Sequence, residues 1–514
     1  MDVGDTVGDS LRRVAKGAAI FFIGSIVGLF IAFIGRIIVV RYVSPSQFGV
    51  LSLSLVVFTI LCTIASMGLP EGLTRQASYF LGKKDLEKVK AVFGAGIYLS
   101  TISGLLAAAG LFALSDVLAE FFGMPDVSWT LKIFSFALPV AMLNRTLVSI
   151  FRTYERADVK VIFSDLLPNT LRVAFIVAMV ILSMSFYWVV MAYFFSIVIS
   201  GIVFLTYSLR NVEFKTSESV FKYFKILIFF SLPLLIQSIL GMLITWTDTL
   251  MIGYYLASSD VGLYNGAQPL AGLMQNFLAS VSFLYFPIVS QLYARNQLRE
   301  MGRTYAVVTK WLMSASLPIF LVLFFFPDAV LWLLYGEAYV PAAYALRALA
   351  LGFFTHVMLG PNGLTLIAAG EAKFPTIAGF IAAVINFVLN LILIPLFGIT
   401  GAAIASASTY ATANAMISLK LYKDYKIHPF TKNYVKPAFI SLAVALLIYL
   451  ISKTLIQVEG WMLPVLFILF VVIYLLSLLF TRSFDQEDVM IMLSIEQRLG
   501  VDLTWAKRVL KRFV

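Results

Sequence analysis

One cysteine and two histidines are all that the 514-residue sequence offers of the residues that most often form disulfides or bind transition metals. Cys62 is alone, so no intrachain disulfide can form. His356 and His428 lie far apart, and a histidine-based metal site is not expected. Charge is scarce as well: 13% of residues are charged, against about 25% in soluble chains. The sequence contains neither the G-x-x-x-x-G-K-[ST] loop that cradles nucleotide phosphates nor the G-x-S-x-G turn of a serine nucleophile. No cofactor is expected, and any driving energy must come from outside the chain or from an ion gradient.

What is abundant is apolar: 61% of residues are hydrophobic. Apolar runs of about 20 residues recur from end to end, each long enough to cross a hydrocarbon core of about 30 Å. Lipid offers no partner to backbone N–H and C=O groups, so such spans must be helical. The expectation is an all-α polytopic membrane protein with fourteen transmembrane helices. Arg12, Arg13 and Lys16 precede the first run, and no small-residue cleavage site follows it. It reads as a retained span rather than a signal peptide. Every second loop is basic, as in the stretches Arg75–Lys90, Arg152–Lys160, Arg210–Lys225 and Lys420–Lys436. Intervening loops such as "SMSFYW" and "PLFGIT" carry no Lys or Arg, and only Arg41, Lys132 and Lys453 fall at or near the outer surface. The positive-inside rule then places both termini in the cytoplasm. The formal net charge of +11 follows from this bias and from attraction to anionic lipid; no nucleic-acid partner is expected.

The chain also reads as if written twice. At an offset of about 213 residues, "GRIIVVRYVSPSQFGVLSLS" (Gly35–Ser54) falls on "DTLMIGYYLASSDVGLYNGA" (Asp248–Ala267), pairing Tyr42 with Tyr255, Ser46 with Ser259 and Gly49 with Gly262. Lys132 falls on Arg347 at a similar offset. Chance similarity between membrane helices is the competing explanation. A six-span repeat has an even count, so its copies would relate by an axis along the membrane normal. The expected layout is a six-helix bundle over 1–222, a second over 223–430, two extra helices over 431–482 and an amphipathic cytoplasmic tail over 483–514. Two such bundles facing each other would leave a central cavity. "YVSPSQFG" reads as a tight turn in which Pro45 breaks one helix and Gly49 restarts the next, either as a flexible outer hairpin or as an ordinary turn.

"VVRYVSPSQFGVLSLS", "LPLLIQSILGMLITWTDTLMIGYYLASSDVGLYNGA" and "LIAAGEAKFPTIAGFIAAVINFVLNLILIPLFGITGAAIAS" resemble the polysaccharide-transporter branch of the multidrug/oligosaccharidyl-lipid/polysaccharide exporter superfamily. The resemblance covers nearly the whole chain. It implies a flippase, not an enzyme, that moves a saccharide on a polyprenyl phosphate or diphosphate from the inner to the outer leaflet of the cell membrane by alternating access. Membrane lipids and glycan-assembly enzymes are the further partners it suggests. The chain is expected to work as a monomer.

Four arginines fall inside predicted spans: Arg36, Arg145, Arg172 and Arg347. Each costs about 2.5–3.5 kcal/mol at mid-membrane, and less where the stem snorkels. Guanidinium forks suit a phosphate head, so Arg36 and Arg145, then Arg347 and last Arg172, are candidate head-group ligands. Arg36 could instead snorkel, and Arg172 could pair with Asp165, seven residues away on the same helix face. Asp248 and Asp165 are candidates for ion coupling. Asn386, Asn390, Gln237 and Gln268 could line a sugar path or merely tie helices together. "GSIVG" (Gly24–Gly28) reads as close packing within the chain rather than a dimer face. A cation antiporter of the same superfamily is the alternative, though it would call for an acid-rich cavity. A membrane glycan polymerase or glycosyltransferase is a further one, disfavoured by short outer loops.

Overall fold

The computed structural model describes residues 3–430 together with 436, 439, 442–447, 449, 450, 468–474 and 476. The side chains of 3–22, 234, 236, 237, 240, 243, 244, 283 and 284 are excepted. Most of the expected spans at 437–456 and 462–480, and the tail from 483, lie outside the described residues, as does the Gln237 side chain.

The helices are α1 (Val3–Tyr42), α2 (Pro45–Ser66), α3 (Leu69–Gly82), α4 (Leu86–Phe121), α5 (Pro125–Ser135), α6 (Leu138–Thr153) and α7 (Ala157–Lys160). A π-helical segment, Val161–Leu166, leads into α8 (Leu167–Ile181) and α9 (Phe186–Asn211). Then come α10 (Lys222–Tyr255), α11 (Ser258–Ala294), α12 (Leu298–Phe325) and α13 (Pro327–Tyr335), a 3₁₀ segment (Glu337–Ala342), α14 (Ala343–Met358), α15 (Asn362–Ala368) and α16 (Lys373–Tyr425). Eight described helices are long and apolar enough to cross a membrane, or ten if each bent pair is one span. Large apolar side chains on their outer faces stay uncovered, with Ile181 76% and Leu106 69% exposed. Only a hydrocarbon solvent tolerates so much bare apolar surface, and the chain is an all-helical multi-pass membrane protein.

The chain divides into two compact units, Met1–Gly262 and Leu263–Val514. In the first, α4 packs on α3, α5 and α6, while α10 packs on α2, α3 and α4. Leu69, Leu73, Val92, Phe93, Leu147 and Phe204 fill its core. In the second, α14 packs on α12 and α16, and Tyr285, Met301, Tyr305, Leu366 and Leu421 form a core cluster. Helix α16 is two helices joined at Gly398, whose φ of +59° breaks it. A Cβ on Gly401 would stand 2.1 Å from the Leu393 carbonyl oxygen. Eight residues of straight helix would separate those positions by about 12 Å, so the chain folds back on itself here.

Two local details refine the sequence reading. Pro45 does not end a helix but starts one: it is the first residue of α2, after a capping box in which Ser44 and Gln47 bond each other's backbone N–H. Gly49 does not restart the helix either. It lies inside α2, where a Cβ would stand 1.7 Å from the Ser258 carbonyl oxygen. Reciprocally, a Cβ on Gly262 would stand 1.9 Å from the Pro45 carbonyl oxygen, and the Ser46 and Ser258 hydroxyls hydrogen-bond. The two similar passages therefore touch each other, each glycine against the other's first turn.

The glycines of "GSIVG" let α1 close on the π-helical segment, because a Cβ at Gly24 would meet Val161 Cγ1 at 2.1 Å and one at Gly28 the Asp165 carbonyl oxygen at 3.0 Å. Close packing within the chain is what the structure contains. Gly24→Val is expected to destabilise the protein by about 1–3 kcal/mol through overpacking, read as a lower thermal unfolding midpoint of the purified protein.

Candidate functional site

Three of the four span arginines belong to the first unit, and two of those are neighbours. Arg36 on α1 and Arg172 on α8 lie within electrostatic reach of each other. Gly35 makes this possible, since α1 approaches Val173 so closely that a Cβ would stand 2.7 Å from Val173 Cγ2. The Arg172 guanidinium lies 4.7 Å from the ring centre of Tyr193 on α9, within cation–π range. Its Nε is buried and has no hydrogen-bond acceptor. Two like charges in one helix interface, one with an unsatisfied donor, form a place where an anion lowers the energy.

The expected Asp165–Arg172 pair is absent among the described residues. Asp165 instead accepts a 2.8 Å hydrogen bond from the Ser25 hydroxyl and stands 3.8 Å from the Lys160 ammonium. Seven residues make two turns only in an unbroken α-helix. Asp165 lies in the π-helical segment, whose wider turns move it out of register with α8. The seven-residue reading missed this insertion, although Pro168, between the two residues at the start of α8, marks a break in the regular helical ladder.

Arg145 is placed differently. From α6 it donates a 3.2 Å hydrogen bond to the Cys62 carbonyl in the last turns of α2. That helix ends at Met67 and Gly68, both with positive φ. A cation at the negative end of a helix is favourable, so Arg145 holds the α2 terminus. Beside it, Asn144 Oδ1 is buried without a partner. In the second unit, Arg347 Nε donates at 2.8 Å to the Phe324 carbonyl, in the last turn of α12. Lys132, its sequence counterpart, pairs instead with Asp116 at 2.8 Å.

Asp248 is buried on α10 next to the buried Thr249. Asn386 and Asn390 do share one helix face, and the Asn390 amide donates to Asn386 Oδ1 at 3.1 Å; both are fully buried. Gln268 is half-buried on α11. Sequence reasoning passed over Tyr193, one of many aromatic residues with no mark of its own. It also passed over a polar cluster around His356, which the Gly360–Pro361 break just beyond it could have flagged. Among the described residues, no group of three or more His, Cys, Asp or Glu could hold a metal.

The chain resembles solved transporters in fold. A lipid II flippase MurJ in an inward closed conformation superposes with a TM-score of 0.73, covering 91% of this chain and 99% of that one at 14% identity. An inward-facing multidrug resistance MATE family transporter of the MOP superfamily gives a TM-score of 0.66 over 77% of this chain. Among curated proteins, a probable low-salt glycan biosynthesis flippase, Agl15 of Haloferax volcanii, is 30% identical over 41% of this chain, a stretch that spans only 43% of that relative. The succinoglycan biosynthesis transport protein ExoT of Rhizobium meliloti is 24% identical over 62% of both chains. The MatE family profile matches residues 233–392. The profile described as polysaccharide biosynthesis protein matches residues 14–293, more than half of the sequence, and the chain belongs to that family.

Proposed function

We propose that this protein is a flippase that carries a saccharide on a polyprenyl phosphate or diphosphate from the inner to the outer leaflet. In this reading fourteen spans form two six-helix repeats related by a two-fold axis along the membrane normal, plus two further helices, with both termini in the cytoplasm. The transport cycle is alternating access. The reciprocal approach of Gly49 and Gly262, equivalent positions in the two similar passages, supports the repeat. The names of the glycan-pathway relatives point the same way.

The observation that carries the reading is Arg172. A buried guanidinium with no acidic partner among the described residues and a second arginine nearby suits a phosphate head group. Arg36 and Arg172 are assigned to that head group. Arg145, in the same unit, keeps part of its fork for a helix end and serves the site as a secondary cation; Arg347, in the other unit, is held at the end of α12. A cation antiporter fits less well: Asp165, an acid close to this site, is engaged by Ser25 and Lys160.

The test compares two lipids that differ only in the head. Polyprenyl diphosphate added to the purified protein is expected to raise the unfolding midpoint, since saturation at 100 times Kd contributes about 2.7 kcal/mol. The uncharged polyprenol should leave the midpoint unmoved. Equal shifts from both lipids, or none from either, would remove the anionic-substrate reading.

A further inference from the structure

We propose that His356 is a proton-binding switch that sets the geometry of the broken helix α14–α15, whatever the protein transports. Helix α14 ends at Met358, and the chain passes through Gly360, with φ of +64°, before α15 begins at Asn362. The break is pressed against α12: a Cβ on Gly360 would stand 2.1 Å from Thr309 Oγ1, and the Tyr305 hydroxyl donates to the Leu359 carbonyl. On its other side the break meets α16, where Asn414 is bonded from both halves. His356, in the last turn of α14, and Asn362, the first residue of α15, both bond to that side chain. The two halves of a broken helix are thus clipped to a single carboxamide.

The clip is sensitive to a proton because of where the carboxamide lies. His356 Nδ1 is 2.9 Å from Asn414 Nδ2 and 3.1 Å from Asn414 Oδ1. A neutral imidazole with a bare Nδ1 accepts from Nδ2–H. A protonated imidazole carries N–H at that position and must donate to Oδ1. Oδ1 already accepts from Asn362 Nδ2 at 3.2 Å, and Asn414 Nδ2 already donates to the Tyr410 carbonyl at 2.7 Å. Gaining a proton therefore reverses one hydrogen bond and forces the amide to redistribute the others. Asn362 is held further by the Ser418 hydroxyl at 2.9 Å, so the redistribution reaches α15.

The ionisable groups around the ring are few. Tyr410 of α16 faces it, with ring centres 5.3 Å apart, and an imidazolium gains from that π face. Helix α12 carries Tyr305, engaged with Leu359, and the buried Lys310. Helix α15 has no ionisable residue. Asp328, Tyr335, Glu337 and Tyr339 precede α14, at its opposite end, where Tyr344 and Arg347 also lie. Lys420, further along α16, is paired with Glu371 and Asp424. Among the described residues no carboxylate bonds to the ring.

With only two histidines in the chain, the test is direct. Full-length protein carrying ¹³C,¹⁵N-histidine is titrated by NMR, with His428→Gln assigning the exposed ring. In parallel, hydrogen exchange of the peptide spanning 354–368 is followed from about pH 5 to 8 and normalised to an unstructured reference. The His356 ring is expected to gain its proton at the acid end of that range. The normalised exchange should change about tenfold over that range. Asn414→Leu should abolish the exchange response, and Asn414→Asp should hold the low-pH pattern throughout. A ring that stays neutral to pH 5 overturns the proposal. So does an exchange response that survives in His356→Gln or, should that variant not fold, in Asn414→Leu.

Discussion

Oxidising a Ser46→Cys/Ser258→Cys pair is expected to stop glycan delivery to the cell surface, and a thiol reductant is expected to restore it. The two hydroxyls are hydrogen-bonded, and the backbones around them are in contact through Gly49 and Gly262, so the short Cβ separation of a disulfide is within reach. The native chain offers one cysteine, Cys62, and it is buried. Mispairing is therefore not a concern. In the proposed cycle this contact, which lies within the first unit, parts once per turnover, and a covalent bond across it would leave one conformation. Delivery should drop by about tenfold or more, in keeping with a blocked conformational step. If the oxidised protein delivers glycan at the rate of the reduced one, the contact does not open and the proposed cycle is wrong.

Arg172→Met is expected to lower delivery by about 10–100-fold, the worth of one to two charge-assisted hydrogen bonds. The same variant should unfold at an unchanged or higher temperature. The native guanidinium is buried with an unsatisfied Nε, and removing a buried charge that has no acidic partner relieves a desolvation cost. A thioether can take its place on the Tyr193 ring. Opposite signs for stability and activity separate a ligand-binding arginine from a structural one. Arg172→Lys keeps the charge but loses the fork, and should recover part of the delivery. Normal delivery by Arg172→Met, with the protein present at the wild-type level in the membrane, would remove Arg172 from the head-group site.

Much of the fold was readable without coordinates, because membrane solvent reduces the choices. Long apolar runs must be helices, and the Gly24–Gly28 spacing must be a packing seam once Val161 and Asp165 lie across it. What could not be read were features decided by backbone register and by distant neighbours. The π-helical segment moved Asp165 away from Arg172 and onto Ser25. Arg145 turns its fork towards a carbonyl in the last turns of α2. No periodicity in α6 encodes where another helix stops. The clip of His356 and Asn362 on Asn414 joins residues more than 50 positions apart. Only the packing of α14 against α16 brings them together.

The mutual seating of Gly49 and Gly262 bears on how such a chain can change over generations. A position inside a membrane helix ordinarily accepts exchange among small residues. Here the Cβ of any residue at either position would collide with a carbonyl of the other passage, so neither accepts even alanine unless the two backbones move apart. Change is therefore most constrained in this chain where two stretches of backbone press directly together.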